Sequence, residues 1–446
     1  MTALPLDHEA LDMRRGACPA LSTPMMTGDG LLARVALTDT ITPAQLAELC
    51  RLARRHGSGM LDISARGNLQ VRGLTETSAP LLDADVRALN LPLREGLAVE
   101  TPPLAGMDDA EIADPCPLAE AIRQGARGIG GLAPKMAVVV DGRGRLRLSD
   151  LLADIRLTAV NSREWKLLLG GTEATGRVFN VLRETQAADA ALDLLGRLAS
   201  AGTRARGRDL GDGLPANEEP VFSGTGLVTA GTGAPASPFG LFALSDGLHA
   251  VGIGPAFGQA GAENLAALCT EAERLGIRSL KPTLDHSLLF FGARQACRAL
   301  AVFAGRRGFV TSGTDPRSHI AACPGSPACS SARVATHDIA ADAATQCADL
   351  LDGSFKLHVT GCPKGCAHPE PSALTLCGTS DGTSLIGQGK AADRPFASVA
   401  FADTNASLRR IADLVRAERR KGENSAACLA RLGPERLAAA ATPGRP

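Results

Sequence analysis

The sequence predicts an α+β protein of three intertwined domains. Three features carry that prediction: an ungapped internal repeat, a separate α/β pattern between its two copies, and a C-terminal block in which four cysteines sit among glycines and prolines. A chain of 446 residues exceeds what one hydrophobic core usually organises. Apolar content of 45% and charge of 21% are those of an ordinary globular protein. Lys+Arg and Asp+Glu both total 47, so no global basic field draws the chain to nucleic acid or anionic lipid. An anionic ligand must therefore be met by local cations.

The repeat sets residues 44–74 over 263–293. Leu46, Ala47, Leu49, Cys50, Ala53, Gly57, Leu61, Leu69 and Gly73 recur at Leu265, Ala266, Leu268, Cys269, Ala272, Gly276, Leu280, Leu288 and Gly292. Leu46, Leu49, Cys50 and Ala53 fall at i, i+3, i+4 and i+7, the apolar stripe of a helix. Thr42, Pro43 and Gln45 predict its cap, with Gly57 as a left-handed stop. "LLARVAL" and "LHAVGIG" read as strands before each helix, and two short strands follow it. Each copy is thus β-α-β-β, half of a ferredoxin-like fold, and the halves are expected to pair. Cys50 and Cys269, on the buried stripes, read as core.

The copies differ on one strand. Arg66, Asn68, Gln70 and Arg72 give the first a wholly polar face, suited to a charged ligand or simply to solvent. The second has Asp285, Ser287, Leu289 and Phe291 there and turns apolar. The expected boundaries are 18–97 pairing with 226–305 for the half-domains, 98–225 for a central α/β domain and 306–440 for the cysteine-bearing domain. Within the central part, 135–142 and 165–171 read as strands and 184–200 as a helix, while 224–238 reads as a linker. "GARGIGGLAP" at 125–134 is glycine-rich but lacks the GK[ST] ending of a phosphate loop. The tail from Leu437 is expected to fray.

No run of 18 apolar residues is present, and the first twenty residues lack a secretory pattern, so a cytoplasmic protein without a membrane partner is expected. In that compartment disulfides do not persist, and twelve cysteines point to metal or redox use for some and packing for the rest. Cys323 and Cys329 stand as C-x5-C, then after 32 residues Cys362 and Cys366 stand as C-x3-C. Four thiolates in Gly/Pro loops suit an iron–sulfur cluster. Zinc favours tighter spacing, and four unrelated loop cysteines are the bland alternative.

"ACPGSPAC" followed by "GCPKGCAHP", together with "DISARGNLQVRGL", resembles the signatures of the sirohaem-type nitrite and sulfite reductase family. The resemblance implies a nitrite/sulfite reductase-like fold with Cys323, Cys329, Cys362 and Cys366 as ligands of a [4Fe–4S] cluster. It makes Arg66 the anion- and tetrapyrrole-contacting arginine and Lys135 a catalytic lysine. Ala137 stands where the family's second lysine belongs, and the second substrate arginine has no equivalent. A six-electron reduction of an anion needs several cations, so these losses argue against it.

Two further stretches, "RRGACPALSTPMMTGDGLLARV" and "PPLAGMDDAE", resemble the oxygen-dependent branch of that family, which hydroxylates the corrin precursor precorrin-3A at C20 and closes a γ-lactone. That branch implies a tetrapyrrole substrate, dioxygen, a second iron as sirohaem or non-haem iron, and an external donor, either an NADH-linked reductase or a ferredoxin. An assimilatory sulfite or nitrite reductase with sirohaem is the alternative, and a non-catalytic carrier a third reading. Arg66, Asn68, Arg72, Lys135 and Lys364 are the expected substrate contacts, since guanidinium and ammonium groups meet the substrate's carboxylates. His319, His337, His358 and His368 flank the cysteine motifs and read either as iron ligands or as surface and capping residues. Cys18 reads as packing or a loop thiol, and Cys347 and Cys377 lack partners at metal-ligand spacing.

Overall fold

The computed structural model describes residues 19–212 and 236–442. Cys18 and most of the 224–238 stretch lie outside the described residues. The chain forms two compact units, one built mainly from residues 93–237 and the other from 20–92, 238–243 and 248–446.

The first copy of the repeat runs β1 (Met25–Thr27), β2 (Gly30–Val35), α1 (Pro43–His56), β3 (Met60–Ile63), β4 (Leu69–Leu74) and α2 (Ser78–Ala88). Helix α1 begins as the sequence predicts. The Thr42 side chain accepts from the Gln45 amide, and the Gln45 side chain accepts from the Thr42 amide. Leu46, Leu49, Cys50, Leu52 and Ala53 form its buried stripe. The stop differs from the expected one: Gly57 is extended, with φ −128°, rather than left-handed. Glycine is needed there for close approach, because a Cβ would stand 2.2 Å from the Arg72 carbonyl oxygen.

The other unit contains β5 (Ala98–Glu100), α3 (Cys116–Ala126), β6 (Ala137–Asp141), β7 (Ile155–Ala159), β8 (Glu164–Leu169), β9 (Arg177–Arg183) and α4 (Glu184–Ser200). Its sheet is parallel from β5 to β7 and antiparallel from β7 to β9. Strand β7 escapes a hydropathy reading because Arg156 interrupts it. That residue is 1% exposed and donates to the Leu148 and Leu151 carbonyls, so the charge is buried with partners. The glycine-rich stretch at 125–134 leads from α3 toward β6, the reverse of the strand-to-helix order of a phosphate loop.

The second copy repeats the plan: β10 (Gly240–Ala243), β11 (His249–Ile253), β12 (Gln259–Gly261), α5 (Ala262–Arg274), β13 (Ser279–Thr283), β14 (Ser287–Gly292) and α6 (Arg294–Arg306). Its sheet has the order β10-β11-β14-β13, and β12 crosses to close the first sheet as β1-β2-β4-β3-β12. Helices α1 and α5 pack on each other, and the bridges Ile41 to Leu280 and Arg66 to Leu284 join the copies. Cys50 is 1% exposed and Cys269 0%, as their places on the stripes require.

The remainder is β15 (Ile320–Ala322), α7 (Thr336–Gln346), β16 (Leu357–Thr360), β17 (Ser372–Gly378), β18 (Thr383–Gly389), β19 (Ala397–Val399), α8 (Thr404–Glu418) and α9 (Ser425–Ala441). Strands β15, β16 and β17 are parallel, and residues of α7, α8 and α9 share one core with the sheet. The tail does not fray at Leu437. Leu437 is 2% exposed and Ala441 0%, and the Ala441 carbonyl accepts from Ser407 Oγ at 2.8 Å. Among the described residues no helix is long and apolar enough to cross a membrane.

Candidate functional site

Cys323 directly follows β15 and Cys362 lies just beyond β16, so two of the four cysteines leave the carboxyl ends of neighbouring parallel strands. That edge is where parallel sheets present loops to ligands. The two cysteine loops are stitched together by backbone. The Cys323 amide donates to the Val359 carbonyl at 3.2 Å, the Arg333 amide donates to the Gly361 carbonyl at 2.8 Å, and the Gly361 amide points at Cys323 Sγ at 3.1 Å. A Cβ on Gly361 would stand 2.5 Å from Ala332 Cβ, which ties that glycine to the close approach of the loops.

Cys366 lies within electrostatic reach of the other three cysteines. The pKa of Cys366 is raised by burial and then by Cys362, Cys323 and Cys329, with Lys364 acting in the opposite direction. Cys323 is buried and Cys329 and Cys362 are half-buried, while Cys366 is exposed as a residue although enough protein surrounds its thiol to disfavour the charge. Among the described residues no three His, Cys, Asp or Glu side chains are drawn close enough around one point to hold a single metal ion. Three thiols near enough to act on Cys366, with an amide directed at one of them, fit a multi-iron cluster, whose ligands surround a body larger than one ion.

Sequence spacing passes over Cys377. Strand pairing sets it beside Thr360, and its thiol is pushed up to about 11 by burial and then by Cys362 and Cys323. Only the topology of β16 and β17 reveals that neighbour. His358 is 0% exposed, and neither ring nitrogen has a hydrogen-bond partner among the described residues. Burial and the nearby His368 ring, 5.7 Å away between centroids, push its pKa down to about 4. His319, His337 and His368 are also shifted downward, chiefly by burial. His337 packs on Phe257.

The polar strand face divides into three roles. Arg66 lies outside β4, exposed in the turn after β3. Asn68 is 8% exposed, and its backbone and side-chain amides both donate to Ser64 Oγ, so it braces the turn that carries Arg66. Arg72, expected as a substrate contact, is 2% exposed. Its guanidinium donates twice to Asp29, once to Asp62 at 2.9 Å and once to the Ala328 carbonyl at 2.7 Å. Burial opposes the charge of Arg72, yet the two carboxylates hold its pKa above the usual value. Burial likewise works against Asp29, but hydrogen bonds from Arg72 and Thr27 keep it below the usual carboxylate value.

Lys364 is exposed between two of the cysteines, with Nζ 3.4 Å from Ser331 Oγ. In the other unit, Lys135 is exposed at φ +65°, and its carbonyl accepts from Arg206.

The model described as the nitrite/sulfite reductase ferredoxin-like half domain matches residues 24–89, the first copy of the repeat. The solved structure of the Mycobacterium tuberculosis NirA protein superposes with a TM-score of 0.69 at 18% identity, covering 91% of this chain and 84% of that one. That likeness establishes the fold. A curated Sinorhizobium sp. protein named precorrin-3B synthase is 39% identical over 451 residues, covering 98% of this chain and 97% of its own length. With the shared half-domain, a common fold and near-complete coverage at that identity, the chain belongs to the precorrin-3B synthase family.

Proposed function

We propose that this enzyme converts precorrin-3A to its C20-hydroxylated γ-lactone in cobalamin biosynthesis. The observation that carries the reading is the near-full-length likeness to a precorrin-3B synthase, joined to Cys323 and Cys362 leaving the carboxyl ends of β15 and β16, with Cys323, Cys329 and Cys362 near enough to act on Cys366. In this reading Cys323, Cys329, Cys362 and Cys366 hold a [4Fe–4S] cluster. When bound, it supplies electrons singly beside a second iron, sirohaem or non-haem. One atom of dioxygen enters the product and the other leaves as water, with two electrons from an external donor and two protons.

The chain's own residues bind and orient. Arg66, exposed on a turn braced by Asn68 and Ser64, is placed to grip a substrate carboxylate with a two-pronged guanidinium. Lys364 offers a further ammonium group to the acidic rim of the substrate. Arg72 has no such part in the proposal, because its donors are committed to Asp29, Asp62 and Ala328.

The test is to purify the protein without air, measure iron and acid-labile sulfide, and add precorrin-3A, oxygen and an artificial reductant. A product gaining one oxygen atom from labelled dioxygen supports the proposal. Sulfite or nitrite turnover without a hydroxylated product would replace it with the reductase reading. Absence of iron and sulfide after reconstitution would remove the cluster assignment.

A further inference from the structure

We infer that Arg72 is a positioning residue that holds the Cys329 loop against the first half-domain, so that this cysteine is presented to the other three before any cluster enters. The inference rests on the proposed role of Cys329 as a ligand.

The position does not require a charge. Its counterpart in the second copy is Phe291, 4% exposed, so the fold buries an apolar side chain there equally well. A buried guanidinium is costly unless every partner is in place. Here its partners come from three parts of the chain. Asp29 lies in the β1–β2 turn, Asp62 on β3, and the Ala328 carbonyl belongs to the residue immediately before Cys329. Asp62 also accepts from Gln259 Nε2 at 2.8 Å, which anchors the network to the second copy.

A second grip lies on the other side of the same cysteine. A Cβ added to Gly28 would stand 2.3 Å from the Ser330 nitrogen and 2.6 Å from the Cys329 carbonyl carbon, so the β1–β2 turn presses directly on the peptide after Cys329. Gly28 is not among the positive-φ glycines, and close contact alone excludes a side chain there. Its neighbour Asp29 takes two hydrogen bonds from Arg72 and one from Thr27 Oγ1 at 2.8 Å. One network therefore clasps the loop before and after Cys329.

Thiol accessibility in the metal-free chain tests this directly. Anaerobic, chelator-treated wild type, Arg72→Leu, Arg72→Lys and Gly28→Ala proteins are pulsed with iodoacetamide, and each cysteine is followed by mass spectrometry. Arg72→Leu is expected to speed alkylation of Cys329 about tenfold, the factor set by losing one charged hydrogen bond, and Gly28→Ala to speed it too, because its Cβ displaces the peptide after Cys329, with the buried Cys347 and Cys428 unchanged in both. Arg72→Lys, which keeps charge but not the fork, is expected to fall between. Iron and sulfide incorporated on reconstitution should drop in the same order.

Equal acceleration at Cys329, Cys347 and Cys428 in Gly28→Ala would show general loosening rather than a local clasp and overturn the inference. So would an unchanged Cys329 rate in Gly28→Ala, the variant that decides the matter if Arg72→Leu does not fold. Failure of the wild type to take up iron would instead sink the cluster assignment, while the alkylation contrast would still report on the clasp.

Discussion

Strands β4 and β14 occupy equivalent places in the two copies, yet one buries a guanidinium where the other buries a phenyl ring: Arg72 is 2% exposed and Phe291 4%. The backbone plan does not distinguish them; the neighbours do. Arg72 reaches Asp29, Asp62 and the carbonyl beside Cys329, whereas Phe291 pairs in register with Ala250 and Ser279, neither of them charged. One copy keeps an apolar side chain at this place and the other a guanidinium tied to two carboxylates and a carbonyl. The copies agree at Leu69 and Leu288, also equivalent and both 0% exposed.

The largest expected effect comes from erasing that difference in the wrong direction. Phe291→Arg puts a guanidinium into a site with no carboxylate in register, at a cost of roughly 3–5 kcal/mol or more. The variant should be largely insoluble or unfold at much lower denaturant. Normal stability would mean that the second copy tolerates charge as the first does. Next come Leu69→Ala and Leu288→Ala. Each should lose about 2–5 kcal/mol in chemical denaturation, with the two values similar, because the packing of the copies is the part they share. A large inequality would place the stability of the pair in one half alone.

A smaller effect on stability, and a larger one on binding, is expected at the hairpin tips. Arg66 is exposed, and its counterpart Asp285 forms only a partly exposed ion pair with Lys356 at 3.4 Å. Arg66→Ala and Asp285→Ala should each change stability by less than about 1 kcal/mol. Arg66→Ala alone should weaken precorrin-3A binding, by roughly 10- to 100-fold for the loss of a charged hydrogen bond to a carboxylate. Equal binding by both variants would remove Arg66 from the substrate site.

What was legible in the sequence follows the range of the interactions involved. The repeat, the cap at Thr42 and Gln45 and the apolar stripe of α1 are local, and the structure reproduces them. Strand β7 was hidden because the partners of Arg156 are carbonyls, which no side-chain pattern displays. Arg72 reads as a ligand-facing cation because alternation shows a polar face without showing what covers it. Its partner Ala328 lies 256 positions away. Cys377 stayed isolated for the same reason, being brought to Cys362 and Cys323 by strand pairing rather than by spacing.

The smallest expected effect is a pH dependence at the contact between the two tips. Gly67 in the first copy corresponds to His286 in the second, and both are left-handed, at φ +71° and +65°. His286 Nδ1 sits 2.5 Å from the Ile63 carbonyl oxygen, so the neutral ring carries its proton on Nδ1 and donates it across the copies. Burial holds its pKa below the usual 6.5. As pH falls through 6.5, the unfolded chain gains a proton that the folded chain does not take until lower pH, so stability should fall with acidity over that window and level off above it. His319, His337, His358 and His368 are shifted the same way, and the difference between wild type and His286→Asn isolates this one. Asparagine tolerates the left-handed turn and keeps an N–H for Ile63, so the variant should match the wild type near pH 8 and lose less stability toward pH 5. Parallel denaturation curves for the two proteins across that range would mean that the second copy's tip is not closed over His286, and that the tips differ less than their charges suggest.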